Sequence, residues 1–207
     1  MAIKPILFNT EMVRAILDGR KSCTRRICKD ANEYVVPDMD FFNADKRTYA
    51  VHNFADQEHT EQLSTAERSC PICPGDILYV RETWYKSPSR YMYRADYSDT
   101  EKFYRDGKEI EMKWHPSIHM PKEAARIWLR VTDVRVERLQ EITLEQICRE
   151  GVEIEYPYVL NGEEKIYAFS NLWNGTVKKS ELDRYGWDAS PWVWVIEFER
   201  CEKPENL

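Results

Sequence analysis

Four cationic side chains, Arg20, Lys21, Arg25 and Arg26, stand within seven positions, interrupted by Ser22, Cys23 and Thr24. Such a cluster can hold one phosphate or a few through charge-assisted hydrogen bonds. The chain as a whole carries a net charge of −6. It therefore lacks the broad positive field that drives non-specific binding to long nucleic acid, which points toward a small or single-site ligand. A second group able to do chemistry is Glu82 with Trp84. The carboxylate can accept hydrogen bonds from a base or pair with Arg26, and the indole can stack on a ring, as can Tyr93. The plainer reading is a strand glutamate paired across a sheet and a core tryptophan. His119 could orient a substrate. His115 and His119 have the i, i+4 spacing of metal ligands on a helix, but Pro116 between them argues against a helix. Cys70-Pro71-Ile72-Cys73 has the spacing of half a zinc site or of a redox pair. Zinc would need two more ligands from Cys23, Cys28, His52 or His59, and no second such pair of cysteines exists. We expect two buried thiols beside a turn, with no metal and no cofactor.

The elements that must position these groups are legible in part. Pro5 to Phe8 reads as a strand, and Thr10 reads as the N-cap of a helix that buries Met12, Val13, Ile16 and Leu17 and ends at Gly19. Arg20 to Ile27 leaves that helix as an extended segment carrying the basic cluster. From Lys29 to Arg68 no sustained period is visible, so a long, partly irregular insertion is expected there. Pro74-Gly75-Asp76 is a turn into a strand from Ile77 to Trp84 that includes Glu82, and Tyr91 to Ala95 is a shorter strand. Arg126 to Leu139 is a long β pattern with a bend expected at Asp133. Thr143 to Gln146 is a capping box opening a helix that stops at Gly151. Phe169 to Trp173 suggests a short helix, and Trp192 to Phe198 a closing strand. The start Met-Ala-Ile-Lys-Pro is unlike a signal peptide and no apolar run approaches a membrane span, so we expect a cytoplasmic protein with reduced cysteines and no membrane contact.

A strand, a short helix ending in Gly19-Arg20-Lys21, a Lys-x-x-Thr segment and Pro-Gly-Asp opening the next strand resemble, in that order, the ASCH family of the PUA-like superfamily. The resemblance is closest to phage- and prophage-encoded ASCH proteins, which share Arg-Glu-Thr-Trp (Arg81 to Trp84), Tyr-Arg-Ala-Asp (Tyr93 to Asp96) and Pro-Ser-Ile-His-Met-Pro (Pro116 to Pro121). It implies an α+β fold in a single domain over residues 1–207: a PUA-like mixed β-barrel with short flanking helices and long insertions at about 29–70, 85–120 and 155–190. Small bacterial members of the family are amidohydrolases that remove the acetyl group from 4-acetylcytidine with a lysine, a threonine and a glutamate. By place in the motif, the resemblance assigns those roles to Lys21, Thr24 and Glu150.

That assignment is chemically coherent. Amide hydrolysis by covalent catalysis needs a hydroxyl nucleophile, a base for its proton and a donor for the departing amine. Lysine serves as a base only when its protonated form is disfavoured, which like charges at Arg20, Arg25 and Arg26 would do. Glu150 ends a helix, where exposed carbonyls favour a protonated carboxyl. On a regular strand Lys21 and Thr24 would face opposite sides, so the assignment requires Lys21 at the helix-to-strand corner or on a bulge. Two other readings remain open. One is a non-catalytic PUA-like module that binds RNA or modified DNA through Arg25, Arg26, Trp84 and Tyr93. The other is a phage accessory protein whose partner is a host protein. Family membership does not by itself establish an enzyme.

Overall fold

A computed structural model describes residues 1–29, 31, 35–56, 58–105, 107–153 and 162–205. The chain runs through β1 (Ile3–Leu7), α1 (Thr10–Leu17), β2 (Cys23–Ile27), β3 (Val35–Asn43), β4 (Thr48–Phe54), β5 (Gln62–Ser69) and β6 (Ile77–Arg81). Two small hairpins follow, β7 (Trp84–Lys86) with β8 (Tyr91–Tyr93) and β9 (Phe103–Arg105) with β10 (Lys108–Ile110). The long strand β11 (Trp128–Arg138) leads to α2 (Leu144–Arg149), α3 (Glu163–Thr176), the single turn α4 (Leu182–Tyr185) and β12 (Trp192–Cys201). This is a mixed α+β architecture, as the sequence predicts, and no closed barrel is found among the described strands. The chain divides into two compact units. One comprises Met1–Lys21, Gly75–Arg130 and Glu199–Leu207, and the other Ser22–Pro74 and Val131–Phe198.

In the first unit β1 lies parallel to β6, with Ile3 opposite Ile77 and Leu7 opposite Arg81, and β6 pairs antiparallel with the start of β11. Helix α1 forms because Asn9 caps it, its side chain accepting from the Met12 N–H at 2.8 Å, and because Val13, Ala15 and Ile16 share a buried face. The cap is thus Asn9 and not Thr10, which is the first helical residue: both types cap well, and only the extended backbone of Asn9 aims its side chain at the open N–H groups. Gly19 stops the helix at φ +75°, a conformation that costs other residues strain. Strand β6 ends at Arg81, so Glu82 sits in the break before β7 and not within a strand.

In the second unit β12 is flanked by β11 and β2, with β2 last in the hydrogen-bonded order. Arg25 stands opposite Val195, Arg26 opposite Trp194 and Thr24 opposite Ile196. One face of these strands meets α2 and α3 in a core of Leu139, Ile147, Phe169, Trp173, Val193 and Val195. Strand β11 runs through Asp133 without a break. Helix α2 has the expected capping box between Thr143 and Gln146, and Gly151 follows its end at φ +81°. The helix expected at Phe169–Trp173 is longer, spanning Glu163–Thr176, while the start of the insertion expected at 155–190 lies outside the described residues. Residues 35–69 differ most from expectation, since they form an antiparallel sheet in the order β3-β4-β5. Only β4 contributes a run of buried residues, Tyr49 to Val51, whereas β5 is exposed on both faces and so carries no alternating pattern to read.

Candidate functional site

The basic cluster is split by strand alternation. Successive side chains of β2 leave opposite faces, so Arg25 projects with Val195 toward the α2 side, and Thr24 and Arg26 project with Ile196 and Trp194 to the other. Arg25 is buried, and both of its terminal nitrogens make polar contacts, whereas its Nε is buried with no hydrogen-bond partner among the described residues. It donates to Gln146 Oε1 at 2.9 Å, to Glu137 Oε2 at 3.2 Å and to Glu150 Oε1 at 3.2 Å. Gln146 Oε1 also accepts from the Thr143 N–H at 2.9 Å, so the capping residue of α2 is at the same time the group that orients Arg25. Glu150, 4% exposed, is held at the end of α2 by its own N–H on the Gln146 carbonyl. Around this core Arg135 joins Asp133, Glu137 and Glu197, and Arg149 joins Glu197 and the Ser22 hydroxyl. Burial pushes the Glu197 carboxyl up, but hydrogen bonds from Arg149 and Arg135 outweigh it and hold Glu197 below its ordinary range.

On the other face Thr24 is 1% exposed, and its Oγ1 accepts from Arg26 Nη1 at 2.9 Å. The same nitrogen donates to the Arg25 carbonyl at 3.0 Å, which fixes the guanidinium against its own strand. Burial pushes the Arg26 guanidinium down, and the charge of Glu150 opposes that. The group nevertheless stays charged at neutral pH, because a guanidinium does not lose its proton in proteins. Among the contacts that form are thus Arg25 with Glu150 and Thr24 with Arg26.

Lys21, 3% exposed, belongs to the first unit. Its N–H and that of Arg20 both donate to the Ala15 carbonyl, which places residue 21 on the corner after α1 and outside β2. The alternation of β2 therefore does not dictate the direction of its side chain. Its Nζ lies 5.6 Å from the centre of the Phe8 ring. Arg20 is paired with Asp18 at 2.9 Å and Arg25 with carboxylates, so two of the like charges expected to act on Lys21 are locally compensated.

Glu82, Tyr93, Trp84 and His119 lie in the first unit. Glu82 pairs with Arg126 and not with Arg26: Nε reaches Oε1 at 2.9 Å and Nη2 reaches Oε2 at 3.0 Å, a bidentate fork. The Glu82 N–H donates to Met120 Sδ at 3.2 Å. Burial pushes the Glu82 carboxyl above its ordinary range, and the Arg126 charge reverses only part of that shift. Arg126 also bridges to Asp96 at 2.7 Å and lies 4.0 Å from the Tyr93 ring centre, while the Tyr93 hydroxyl donates to the Ala124 carbonyl. Trp84 is packed against Tyr91 and His115, with ring centres 5.8 and 5.1 Å away. His119 ends an exposed 3₁₀ turn, Ser117–His119. Cys70 and Cys73 are buried thiols, and among the described residues no group of three or more His, Cys, Asp or Glu is gathered to hold a metal ion.

The sequence reading missed Arg126, Gln146, Glu137, Arg135, Arg149 and Glu197. One signal for part of this network was legible: Asp133, Arg135 and Glu137 alternate along β11, which puts opposite charges side by side on one strand face. Nothing local marks Arg126 as the partner of Glu82.

The fold and these sites define an α+β protein with two arginine-centred polar clusters, one around the buried Glu82 and one around the buried Arg25 and Glu150. No family model matches the chain, and no curated protein matches it. Among solved structures, that of hypothetical protein PH0355 aligns over 97% of this chain and 100% of its own, with 15% identity and a TM-score of 0.35.

Proposed function

We propose that the protein is an amidohydrolase of the ASCH type, on a PUA-like fold, that deacylates a modified nucleoside or nucleobase such as 4-acetylcytidine. The observation that carries this reading is the Thr24 hydroxyl, 1% exposed and accepting from the Arg26 guanidinium at 2.9 Å. A cation donating to that oxygen stabilises the negative charge that develops as the hydroxyl proton leaves. Because the guanidinium takes an acceptor position, the hydroxyl hydrogen is directed elsewhere, toward a base. In this mechanism the base is Lys21, held on its corner by Ala15. Thr24 Oγ1 attacks the acyl carbon while its proton passes to Lys21. The tetrahedral intermediate then expels the amine nitrogen, protonated by Glu150, and leaves the acyl group as an ester on Thr24. Water cleaves that ester, releasing the acid and restoring the hydroxyl, and the proton that Lys21 took is released as Glu150 takes one up, which returns both groups to their starting states. Arg25 fixes the Glu150 carboxyl through Oε1.

The test is hydrolysis of 4-acetylcytidine by the wild-type chain, followed by absorbance as cytidine forms. Lys21→Ala and Thr24→Ala should each reduce turnover by about 100-fold or more, the ordinary contribution of a general base and of a nucleophile. Turnover of either variant within about threefold of wild type would remove that residue from the mechanism. Absence of turnover by the wild-type chain would exclude this substrate.

A further inference from the structure

We infer that strand β5 docks a second copy of this chain, the two β5 strands pairing antiparallel, edge to edge, about a two-fold axis at Ala66. Within the second unit β5 is last in the order β3-β4-β5, and among the described residues it pairs with β4 alone. Every residue of β5 is exposed except the half-buried Ala66, and the apolar Leu63 is 62% exposed. An open strand edge presents unpaired N–H and C=O groups, and edges that stay single are commonly blunted by proline or lysine. Strand β5 contains neither. None of the residues assigned to hydrolysis lies on it, so this inference is independent of that reading.

The β4–β5 ladder fixes which groups face outward. The Cys70 N–H donates to the Arg47 carbonyl at 2.8 Å, one step beyond the pair Thr48–Ser69. Bonded and non-bonded pairs alternate, so Ser64, Ala66 and Arg68 bond to β4, while Thr65, Glu67 and Ser69 turn their N–H and C=O away from it. Arg68 Nη1 meets the Glu67 carbonyl at 3.3 Å, an exposed contact that agrees with this direction and that a partner N–H replaces. The Glu67 carboxylate meets Lys46 at 3.8 Å, which leaves its backbone groups unaffected. A second β5 must set its own outward residues opposite these, so the axis falls on a residue and not between two. An axis at Glu67 would oppose two carboxylates. At Thr65 it would run the partner into the bulge between Asn53 and Phe54. At Ala66 residues 64–68 of both copies pair without a bulge. Thr65 and Glu67 of one then exchange hydrogen bonds with Glu67 and Thr65 of the other, and Ser64 faces Arg68. No like charges stand opposite, and two small alanines meet at the non-bonded pair, where strands approach most closely.

The test is sedimentation of the full chain together with cysteine cross-linking. One chain weighs 24.7 kDa. Two short strands bury less than a standard interface of about 1,600 Å², so a reversible dimer with a Kd of about 10⁻⁵ to 10⁻⁴ M is expected, its average mass rising with concentration. Thr65→Pro removes an outward N–H that β4 does not use, so this variant should keep its circular dichroism and sediment as a single chain. The axis sets the two Ala66 Cα atoms about 4.5 Å apart, within reach of a disulfide. In a Cys148→Ser, Cys201→Ser background, whose remaining cysteines are buried, Ala66→Cys should therefore give a covalent dimer with oxidised glutathione. Two thiols are oxidised to one disulfide as the glutathione is reduced to two thiols. Arg68→Cys should not, because four strand residues, roughly 14 Å, separate it from its counterpart. A single-chain mass at every concentration up to about 1 mM would overturn the proposal, as it would if the edge served a partner of another kind. Equal cross-linking of Ala66→Cys and Arg68→Cys, or a wild-type dimer in a folded Thr65→Pro variant, would overturn it as well.

Discussion

Replacing Arg126 by alanine leaves the Glu82 carboxyl, 1% exposed, without the fork that holds it. Removing one partner of a buried ion pair costs about 3–5 kcal/mol, because the surviving charge stays desolvated. Arg126 is itself 26% exposed, so part of the pair is already screened and the lower figure, about 3 kcal/mol, is expected at neutral pH. The loss must depend on pH. Glu82 has a raised folded value because burial outweighs the arginine. A carboxyl raised in the folded state contributes stability that is fully present below its unfolded value, about 4.3, and is lost as pH rises through the folded value. Without Arg126 the folded value rises further, so the gap between variant and wild type should widen from acid toward neutral pH. In urea titrations followed by circular dichroism, a slope of about 2 kcal/mol/M turns 3 kcal/mol into a midpoint shift of about 1.5 M at pH 7. The shift should be much smaller near pH 4, where a neutral Glu82 needs no cation. Glu82→Gln in the Arg126→Ala background should recover stability at pH 7 only. A midpoint shift that is the same at both pH values would refute the argument, because the cost would then be lost packing on Tyr93 and not an unpaired charge.

Two further outcomes follow from α1. Asn9→Ala should cost about 1 kcal/mol of stability, the ordinary worth of an N-cap, and Thr10→Ala less than about 0.5 kcal/mol, as read from thermal melts of both variants. A larger loss at Thr10 would move the cap. Gly19→Ala should cost about 1 kcal/mol, all of it conformational, because an added Cβ meets nothing within 4 Å at that position. An unchanged melting temperature would mean that the +75° φ is not required.

Much of the fold was legible because its signals are local. The face of Val13 and Ile16 with Gly19 beyond it marks α1, the Thr143 capping box marks α2, and the β-branched and aromatic run from Trp192 marks β12. The three strands between 35 and 69 were illegible for a physical reason. A strand such as β5, exposed on nearly every residue, has no buried face to impress a period on the sequence. Of the candidate site, the basic cluster was visible as a cluster, whereas the corner position of Lys21, outside β2, was only a requirement of the chemistry. The division of labour between Arg25, tied to buried carboxylates, and Arg26, set against Thr24, was not visible.

By itself the sequence determined residue types, the stops at Gly19 and Gly151, the capping box of α2 and the strand alternation that separates neighbouring side chains such as Arg25 and Arg26. These depend on neighbours within a few residues, whose geometry the backbone dictates. Tertiary structure alone decided which charges meet. Arg25 finds Glu150 from 125 residues away and Glu82 finds Arg126 from 44. Charge pairing depends on separation in space and on local dielectric, and neither exists until register and packing have brought the strands together.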